Sequence, residues 1–202
     1  MNKPQSQRQY EAPTWSQIYR LLLDQANRIK QSGFKPDVIV GVSRGGWFPA
    51  RVLSDLLENP NLVNVRAESY VSVGEARGAP QLTQCLSASV LGKRVLVVDE
   101  VAESGKSLKL VVEHVASRGA SEIKTATLYF KPCCSLKPDF YARETDCWVV
   151  FPWETKETVR AIYQFHKANP GAVEAELAKL SEAGVSKRLI SRFMTEISGA
   201  NP

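Results

Sequence analysis

Long hydrophobic runs are missing from this sequence. No apolar stretch approaches the roughly 18 to 20 residues needed to cross a bilayer. The opening residues, MNKPQSQRQYEAPTW, lack the apolar core of a secretory signal. These absences argue against a membrane protein and against an exported one, so we predict a cytoplasmic location.

Metal-ligating side chains are also scarce. The chain has 202 residues but only four cysteines and two histidines, and no two cysteines stand in C-x-x-C spacing. The cysteines are Cys85, Cys133, Cys134 and Cys147. His114 and His166 have no ligand companions at suitable spacing. The pattern argues against a structural zinc site and predicts reduced thiols.

The composition is that of a folded domain. Hydrophobic residues make up 44% and charged residues 23%, which excludes disordered and fibrous classes. Lysine and arginine outnumber aspartate and glutamate by 26 to 21, which gives a net charge of +5. This excess suits an anionic ligand or nucleic acid and does not choose between them.

Apolar, β-branched runs alternate with helical patterns along most of the chain. The predicted strands are residues 37–42, 94–98, 123–130 and 147–151. Helical spacing of apolar residues follows Pro13 and recurs at residues 49–57 and 108–115. This alternation predicts an α/β fold, with a mainly parallel, twisted sheet, helices on both faces and ligands beyond the carboxyl ends of the strands.

Two segments depart from this alternation. Residues 69–84 are polar and contain glycine and proline, which predicts a mobile loop or hairpin tip. Past Trp153 the pattern is helical to the end of the chain. We therefore predict a main domain over residues 1–160 and a C-terminal helical extension over residues 161–202.

The turn after the second predicted strand has the composition of a phosphate site. Ser104, Gly105 and Ser107 stand between a strand and a helix, where backbone N–H groups and the helix dipole favour an anion. The Gly-Lys-Ser tail is similar to a P-loop, but that motif requires glycine where this chain has Glu100. The sequence therefore predicts a phosphate cradle of another kind.

Three acids accompany this cradle. Asp99 and Glu100 end the strand, and Glu103 directly precedes the cradle. Carboxylates are a poor choice for binding phosphate alone, but they suit sugar hydroxyls, Mg²⁺ or proton transfer. The ligand is therefore expected to carry more than a phosphate.

The segment VLVVDEVAESGKS closely resembles the phosphoribosyl diphosphate (PRPP) signature of type I phosphoribosyltransferases. That signature is an apolar strand, two acids, two small or apolar residues, an acid, Thr or Ser, Gly, any residue, and Thr or Ser. Glu100 and Glu103 stand where aspartate is usual, and Ser104 and Ser107 where threonine is common. The resemblance implies the type I phosphoribosyltransferase fold with a small hood or acceptor region, and it makes residues 1–160 the phosphoribosyltransferase domain.

The resemblance also implies which residues bind PRPP. The segment VGVSRGGWFPARVLSDLL is similar to the family's first strand and diphosphate loop, which often contains a non-proline cis peptide bond. The PRPP-binding residues are expected to be Ser43, Arg44, Gly45, Gly46, Asp99, Glu100, Ala102, Glu103, Ser104, Gly105, Lys106 and Ser107. Ser69 and Tyr70 match a pair that opens the family's catalytic loop, which closes over the diphosphate and excludes water.

Two further segments are similar to the acceptor pocket of the 6-oxopurine branch, the xanthine, guanine and hypoxanthine enzymes. They are TLYFKP, which contains Lys131, and VVFPWE, which contains Val150 and Trp153. The resemblance implies that Lys131 donates to the purine O6, that Trp153 stacks on the ring, and that the backbone near Val150 reads the N1 and C2 edge. An ammonium group selects a carbonyl over an amino group, which favours an oxopurine over adenine.

The implied reaction transfers 5-phosphoribosyl from PRPP to a 6-oxopurine in purine salvage, giving a nucleoside monophosphate and diphosphate. The implied cofactor is Mg²⁺, held directly or indirectly by Asp99 and Glu100, which would also hold the ribose hydroxyls. Glu103 is expected to take or steer the purine proton. The catalytic residues are expected to be Glu103, Arg44, Ser69 and Tyr70, and the assembly a homodimer or homotetramer.

The alternative is a PRPP-sensing regulator that binds nucleic acid and does not catalyse. The substituted acids and the phrase AELAKLSEAGVSKRLISRF, which is similar to a helix-turn-helix, support this alternative. The apolar residues of that phrase, including Leu180 and Ile190, fit equally well a helical pair that packs on the enzyme or its dimer mate. Acidic and basic residues nearly balance there, which argues against a DNA-binding face.

Overall fold

The computed structural model describes residues 9–69 and 79–199. Its strands are β1 (Tyr10–Glu11), β2 (Val38–Ser43), β3 (Leu62–Ser69), β4 (Pro80–Gln84), β5 (Arg94–Ala102), β6 (Glu122–Phe130), β7 (Phe140–Glu144) and β8 (Trp148–Val149). Its helices are α1 (Trp15–Gln31), α2 (Trp47–Leu56), α3 (Lys106–Ser117), α4 (Thr155–His166), α5 (Pro170–Glu182) and α6 (Lys187–Ser198). None of the helices in the described ranges is long and apolar enough to cross a membrane.

The central sheet has the strand order β4-β3-β2-β5-β6-β7. Its strand pairs are parallel, apart from the antiparallel pairing of β4 with β3. Strands β2 and β5 are direct neighbours, with Gly41 in register with Val98. The two glycine-containing turns that follow these strands therefore leave the same edge of the sheet side by side.

Helices cover both faces of this sheet because successive strand residues point to opposite sides. Val40 of β2 lies in one buried cluster with Leu108 and Val115 of α3. Gly41, the next residue, faces the other way, where a Cβ atom would lie 2.9 Å from the Cβ of Ala50 in α2. The predicted α/β fold with a mainly parallel sheet is confirmed.

The described chain forms two compact units. The sheet unit is Tyr19–Thr145, and the terminal unit consists of the described residues before Tyr19 and after Thr145. In the terminal unit β1 pairs in parallel with β8, and helices α4, α5 and α6 complete the unit. The predicted domain boundary at residue 160 falls inside α4, and the division into residues 1–160 and 161–202 stays a prediction.

Several strands differ from their sequence-based expectation. The segment predicted as a strand over residues 147–151 is only Trp148–Val149, and it pairs with β1 outside the central sheet. The edge position beside β6 belongs to β7, whose mixed sequence FYARE gave no clear apolar run. The polar stretch predicted to include a mobile loop or hairpin tip contains β4, which forms a hairpin stem with β3. Residues 70–78 between those two strands lie outside the described residues.

Candidate active site

Two turns come together at the carboxyl edge of the sheet unit. A Cβ atom on Gly46 would lie 2.6 Å from the carbonyl oxygen of Val42 and 2.7 Å from that of Val98, and one on Gly45 would lie 2.1 Å from Oε1 of Glu100. The backbone contacts at Gly46 leave no room for a side chain, whereas at Gly45 the end of the Glu100 side chain would have to move. The structure therefore shows that the predicted diphosphate loop contacts the predicted acidic strand end. The sequence predicted only that both lie at the same edge of the sheet.

The diphosphate loop is anchored on its strand. Ser43 and Arg44 are joined by a cis peptide bond, as the resemblance implied. The Ser43 hydroxyl accepts a hydrogen bond from Nδ2 of Asn64 at 3.3 Å, so β3 helps to hold the loop.

Glu68, near the end of β3, is a second residue of this region with a shifted pKa. Hydrogen bonding to Thr83 lowers the pKa of Glu68, and the nearby charges of Arg66 and Arg44 lower it further. Asn64 and Glu68 were not predicted, because single polar residues on a strand carry no motif.

The two acids at the end of β5 are electrostatically unusual. Burial raises the pKa of Asp99. Burial also raises the pKa of Glu100 well above its usual value, the Asp99 carboxylate raises it further, and the charge of Arg44 opposes both effects. Oε2 of Glu100 is buried and has no hydrogen-bond partner among the described residues. Such an oxygen requires a donor or a cation, because buried polar atoms are almost always satisfied.

The predicted phosphate cradle is the turn that joins β5 to α3. Gly105 is the residue before the helix and has φ +77°, a conformation that favours glycine. A Cβ atom at Gly105 would lie 2.6 Å from Sγ of Cys134 and 2.9 Å from the backbone nitrogen of Leu136. Ser104 and Ser107 therefore stand at a helix N-terminus, in the position that favours anion binding.

The segment after β6 braces this cradle. The backbone nitrogen of Lys131 donates to the carbonyl oxygen of Ala102 at 3.0 Å. Ser135 donates to the carbonyl oxygen of Ser104 twice, from its backbone nitrogen at 3.1 Å and from its hydroxyl at 2.9 Å. Sequence reasoning missed Ser135, because a serine in a polar loop gives no signal of a long-range contact.

Two residues with different predicted roles meet beside the cradle. Nζ of Lys131 lies 3.3 Å from Oε1 of Glu103. The Lys131 side chain is 12% exposed and the Glu103 side chain 31% exposed, so the ion pair is partly shielded from water. The residue expected to handle the purine proton thus contacts the residue expected to bind the purine O6.

The other predicted purine residues belong to the terminal unit. Val150 is buried and its backbone nitrogen donates to the carbonyl oxygen of Glu11 at 2.8 Å. The Trp153 ring stacks on Phe151 with a centroid distance of 4.7 Å and an interplanar angle of 6°. Trp15 packs on Trp153 at 5.4 Å with a tilt of 52°. Trp153 therefore sits in an aromatic group, which is a typical setting for ring stacking.

Of the predicted loop-closing pair, the first residue lies within the described part of the chain. Ser69 is the last residue of β3 and pairs with Pro80. Tyr70 lies outside the described residues. The catalytic role expected for Ser69 and Tyr70 stays a prediction.

Comparisons with known proteins agree with this geometry. The family model for the phosphoribosyl transferase domain matches residues 9–159. Over 150 residues the chain is 31% identical to the xanthine-guanine phosphoribosyltransferase of Cereibacter sphaeroides, covering 70% of this chain and 84% of that protein. The chain therefore belongs to the phosphoribosyltransferase family, and the predicted family is confirmed.

Solved structures support the same assignment. The crystal structure of a purine phosphoribosyltransferase from Pyrococcus horikoshii is similar with a TM-score of 0.65 and 39% identity, covering 72% of this chain and 93% of that chain. A structure of a protein from Neisseria gonorrhoeae with bound ppGpp has a TM-score of 0.66 and 27% identity, covering 73% of this chain and 90% of that chain.

Proposed function

We propose that this protein transfers the 5-phosphoribosyl group of PRPP to a 6-oxopurine, giving a nucleoside monophosphate and diphosphate in purine salvage. The observation that carries this proposal is the packing of the Ser43–Gly46 loop against Asp99 and Glu100, directly beside the cradle of residues 102–107. Relatives of this chain are named xanthine-guanine and hypoxanthine-guanine phosphoribosyltransferases. Three adjoining subsites, for diphosphate, ribose and 5′-phosphate, match the three parts of PRPP.

Each subsite offers the chemistry that its part of PRPP requires. Arg44 and the loop amides supply positive charge for the diphosphate leaving group. Asp99 and Glu100 accept hydrogen bonds from the ribose hydroxyls, and these donors satisfy the buried Oε2 of Glu100. The start of α3 supplies amides for the 5′-phosphate.

The acid pair also fits Mg²⁺. Carboxylate oxygens are the ligands that Mg²⁺ prefers, and this ion commonly binds through one or two carboxylates together with substrate oxygens. The described residues hold no cluster of three or more metal-ligating side chains, so a site completed by substrate is the form these residues support. Asp99 and Glu100 would hold the ion, which when bound neutralises charge on the departing diphosphate.

Glu103 and Lys131 are the residues proposed to act on the base. As the C1′–oxygen bond to diphosphate breaks, the purine nitrogen bonds to C1′ and loses its proton, which Glu103 accepts. The proton lost to Glu103 offsets the positive charge that bonding to C1′ brings to the base, so the base of the nucleotide is neutral, and Lys131 orients the purine by donating a hydrogen bond to O6. Their contact at 3.3 Å keeps the proton acceptor and the O6 donor together.

Trp153 and the backbone near Val150 are proposed to hold the purine ring and its N1 and C2 edge. Besides Trp153 and its ring partners Phe151 and Trp15, the terminal unit contains Trp148 in β8. Comparing Trp153→Leu with Trp148→Leu decides which ring stacks on the base. The variant that removes the stacking ring is expected to raise the purine KM by roughly 10- to 100-fold, since one stacked base is worth about 1–3 kcal/mol.

The main experiment measures Mg²⁺-dependent nucleotide formation from PRPP with guanine, xanthine, hypoxanthine, adenine, orotate and uracil. Turnover with at least one oxopurine, and weaker turnover with adenine, is the expected result. Activity confined to a pyrimidine, or no activity with any base, would overturn the proposal. Asp99→Asn combined with Glu100→Gln should abolish PRPP binding in calorimetry, whereas Glu113→Gln on the exposed surface of α3 should not.

The nucleic-acid alternative predicts that α5 and α6 form a helix-turn-helix that binds DNA. Leu180 and Ile190 are buried in one cluster with residues of α4, so the pair packs within its own chain as the packing alternative expects. Salt-dependent binding of the full chain to duplex DNA would revive the regulator. The homodimer or homotetramer and the cytoplasmic location stay predictions, tested by sedimentation and cell fractionation.

A further inference from the structure

Helices α5 and α6 lie beyond the part of the chain that matches the family model, which ends at residue 159. They belong to the same compact unit as the candidate purine segment, Val150–Glu154. This segment leaves β8 at one end and enters α4 at the other. The contacts of α5 and α6 with β8, β1 and α4 show what these additional helices do.

Apolar packing ties α5 and α6 to the start of the segment. Val150 is 1% exposed and lies in one buried cluster with residues from α4, α5, α6 and the turn between α5 and α6. These residues are Val159, Ile162, Leu180, Val185 and Ile190. Trp148 is packed against the same cluster. The position of Val150 therefore depends on the packing of the two additional helices, because close-packed interiors transmit displacements.

A hydrogen bond between α5 and β1 adds to this packing. Oε2 of Glu176 in α5 accepts a hydrogen bond from the Tyr10 hydroxyl at 2.9 Å, and its Oε1 lies 2.6 Å from Nζ of Lys179. The Glu176 side chain is only 5% exposed. Tyr10 is in register with Trp148, so α5 holds β1 and β1 holds β8.

An ion-pair group ties α6 to the other end of the segment. Glu196 of α6 pairs with Lys156, which lies in the first turn of α4, and with Arg192 at 3.0 Å. Hydrogen bonds from Lys156 and Arg192 lower the pKa of Glu196. The ammonium of Lys156 also lies 5.7 Å from the ring centroid of Phe193 in α6. The helix that follows the purine segment is therefore held by α6.

The segment itself is a compact turn. The backbone nitrogen of Phe151 donates to Oε1 of Glu154 at 3.2 Å, and the backbone nitrogen of Glu154 donates to the carbonyl oxygen of Phe151 at 3.1 Å. Stacking between Phe151 and Trp153 completes it. A turn this short moves as a body, so fixing its two ends fixes its orientation.

We propose that α5 and α6 are a positioning element for purine binding. They hold Val150–Glu154 in the orientation that binds the base, and they set the affinity for the purine without contributing to PRPP binding. This inference rests on the proposed function, since it assigns Val150 and Trp153 to the purine. It explains why a chain of this family carries two helices beyond its matched domain.

The test compares two neighbouring residues of α6 in the full chain. Ile190 is 8% exposed and belongs to the shared cluster, whereas Leu189 is 42% exposed. Ile190→Ala is expected to raise the KM for guanine roughly 5- to 20-fold, because small displacements of positioning groups have large effects on binding and rate. The dissociation constant of PRPP, measured by calorimetry without purine, should change less than about twofold. Leu189→Ala should change neither value.

Two further measurements separate positioning from simple stabilisation. Hydrogen exchange of the amides of residues 148–155 should accelerate in Ile190→Ala at a temperature where circular dichroism shows the variant folded, and should not accelerate in Leu189→Ala. If Ile190→Ala does not fold, Glu196→Gln tests the same claim at a surface ion pair, with an expected rise of roughly twofold in the guanine KM.

The outcomes distinguish this inference from the proposed function. If the unmodified protein binds PRPP but transfers its ribosyl group to no purine, the proposed function fails. In that case the exchange measurement decides whether α5 and α6 position the segment. Ile190→Ala could instead have a lower Tm than Leu189→Ala but the same guanine KM and the same amide exchange rates. In that case the helices only stabilise the unit and the inference is wrong.

Discussion

The candidate PRPP-binding residues of the sheet unit lie in two short contiguous segments, whereas the candidate purine segment of the terminal unit is packed by residues from both ends of the chain. Ser43–Gly46 covers the last residue of β2 and the turn before α2, and Asp99–Ser107 covers the end of β5, the following turn and the first two residues of α3. The terminal unit instead joins Tyr10 and Glu11 to Trp148 and Val149, more than 130 residues away in the register 10↔148. The first site depends on backbone amides and glycines, and the second on the packing of apolar side chains.

This difference corresponds to what binding a phosphate and binding a purine base each require of the protein. A phosphate is bound by amides that a local turn can supply, so the requirement is written in consecutive residues. A flat, largely apolar base needs a surface whose orientation is fixed, and that requires packing from several elements. Substitutions in the two turns of the sheet unit should therefore affect PRPP binding and catalysis, whereas substitutions in the terminal unit should leave PRPP binding unchanged.

The largest expected effect is on catalysis in the sheet unit. Glu103→Gln should lower kcat by roughly 10²- to 10⁴-fold, because the amide cannot accept the purine proton. Glu103→Asp, which restores the residue usual in the family, should retain a kcat within about tenfold of the unmodified protein. Steady-state kinetics with guanine and PRPP measure both. A Gln variant with unchanged kcat would remove Glu103 from the chemistry.

The next effect tests the glycine turn. Gly46→Ala places a Cβ atom 2.6–2.8 Å from three backbone atoms of β2 and β5, so the turn must move. We expect a loss of roughly 1–3 kcal/mol in the free energy of unfolding, together with loss of PRPP binding. Gly171→Ala is the matched control, since its added Cβ would contact only Asn169 at 3.6 Å. Equal PRPP affinity in the two variants would show that the turn at Gly46 is not needed for PRPP binding.

A smaller effect is expected from the buried contact of the terminal unit. Tyr10→Phe removes the hydroxyl that donates to the buried Glu176 carboxylate, which should cost about 1–2 kcal/mol in the free energy of unfolding. Urea denaturation measures this loss, and PRPP affinity should stay unchanged. Tyr19→Phe serves as the control, because Tyr19 is 48% exposed. A weakened PRPP affinity in Tyr10→Phe would show that the two units do not divide the work as proposed.

The smallest expected effect is a pH-dependent change in stability. It comes from Asp139, which lies in the sheet unit outside the two turns. Burial opposes ionisation of Asp139, but hydrogen bonds from Thr125 and Lys124 outweigh it and lower its pKa. A lowered pKa in the folded state means that Asp139 stabilises the protein above the ordinary carboxyl pKa and that this stabilisation is lost as pH falls through the lower, folded-state value.

Asp139→Asn should therefore lose roughly 1 kcal/mol at pH 7 relative to the unmodified protein, a modest value because the side chain is 35% exposed. The difference should shrink as pH falls below about 4. Chemical denaturation at both pH values measures it. A difference that grows on acidification would contradict the assigned sign.

The local motifs made the sheet unit readable in advance. The runs over residues 37–42 and 94–98 predicted β2 and β5, and the hydroxyl-glycine pattern predicted the turn before α3. The contacts made by Ser135 and Asn64 could not be predicted, because each joins residues far apart in the chain. The pairing of β8 with β1 was missed for the same reason, since two residues of alternating pattern give no indication of their partner.

The sequence by itself determined the α/β class and the family, and it predicted which residues bind PRPP, because strands, glycine turns and acids at fixed spacing are local features of the chain. Only the tertiary structure decided that Glu100 lies against Gly45, that Lys131 contacts Glu103, and that α5 and α6 pack around Val150. Those contacts are chosen by burial and close packing of side chains from distant parts of the chain, and no local pattern encodes them.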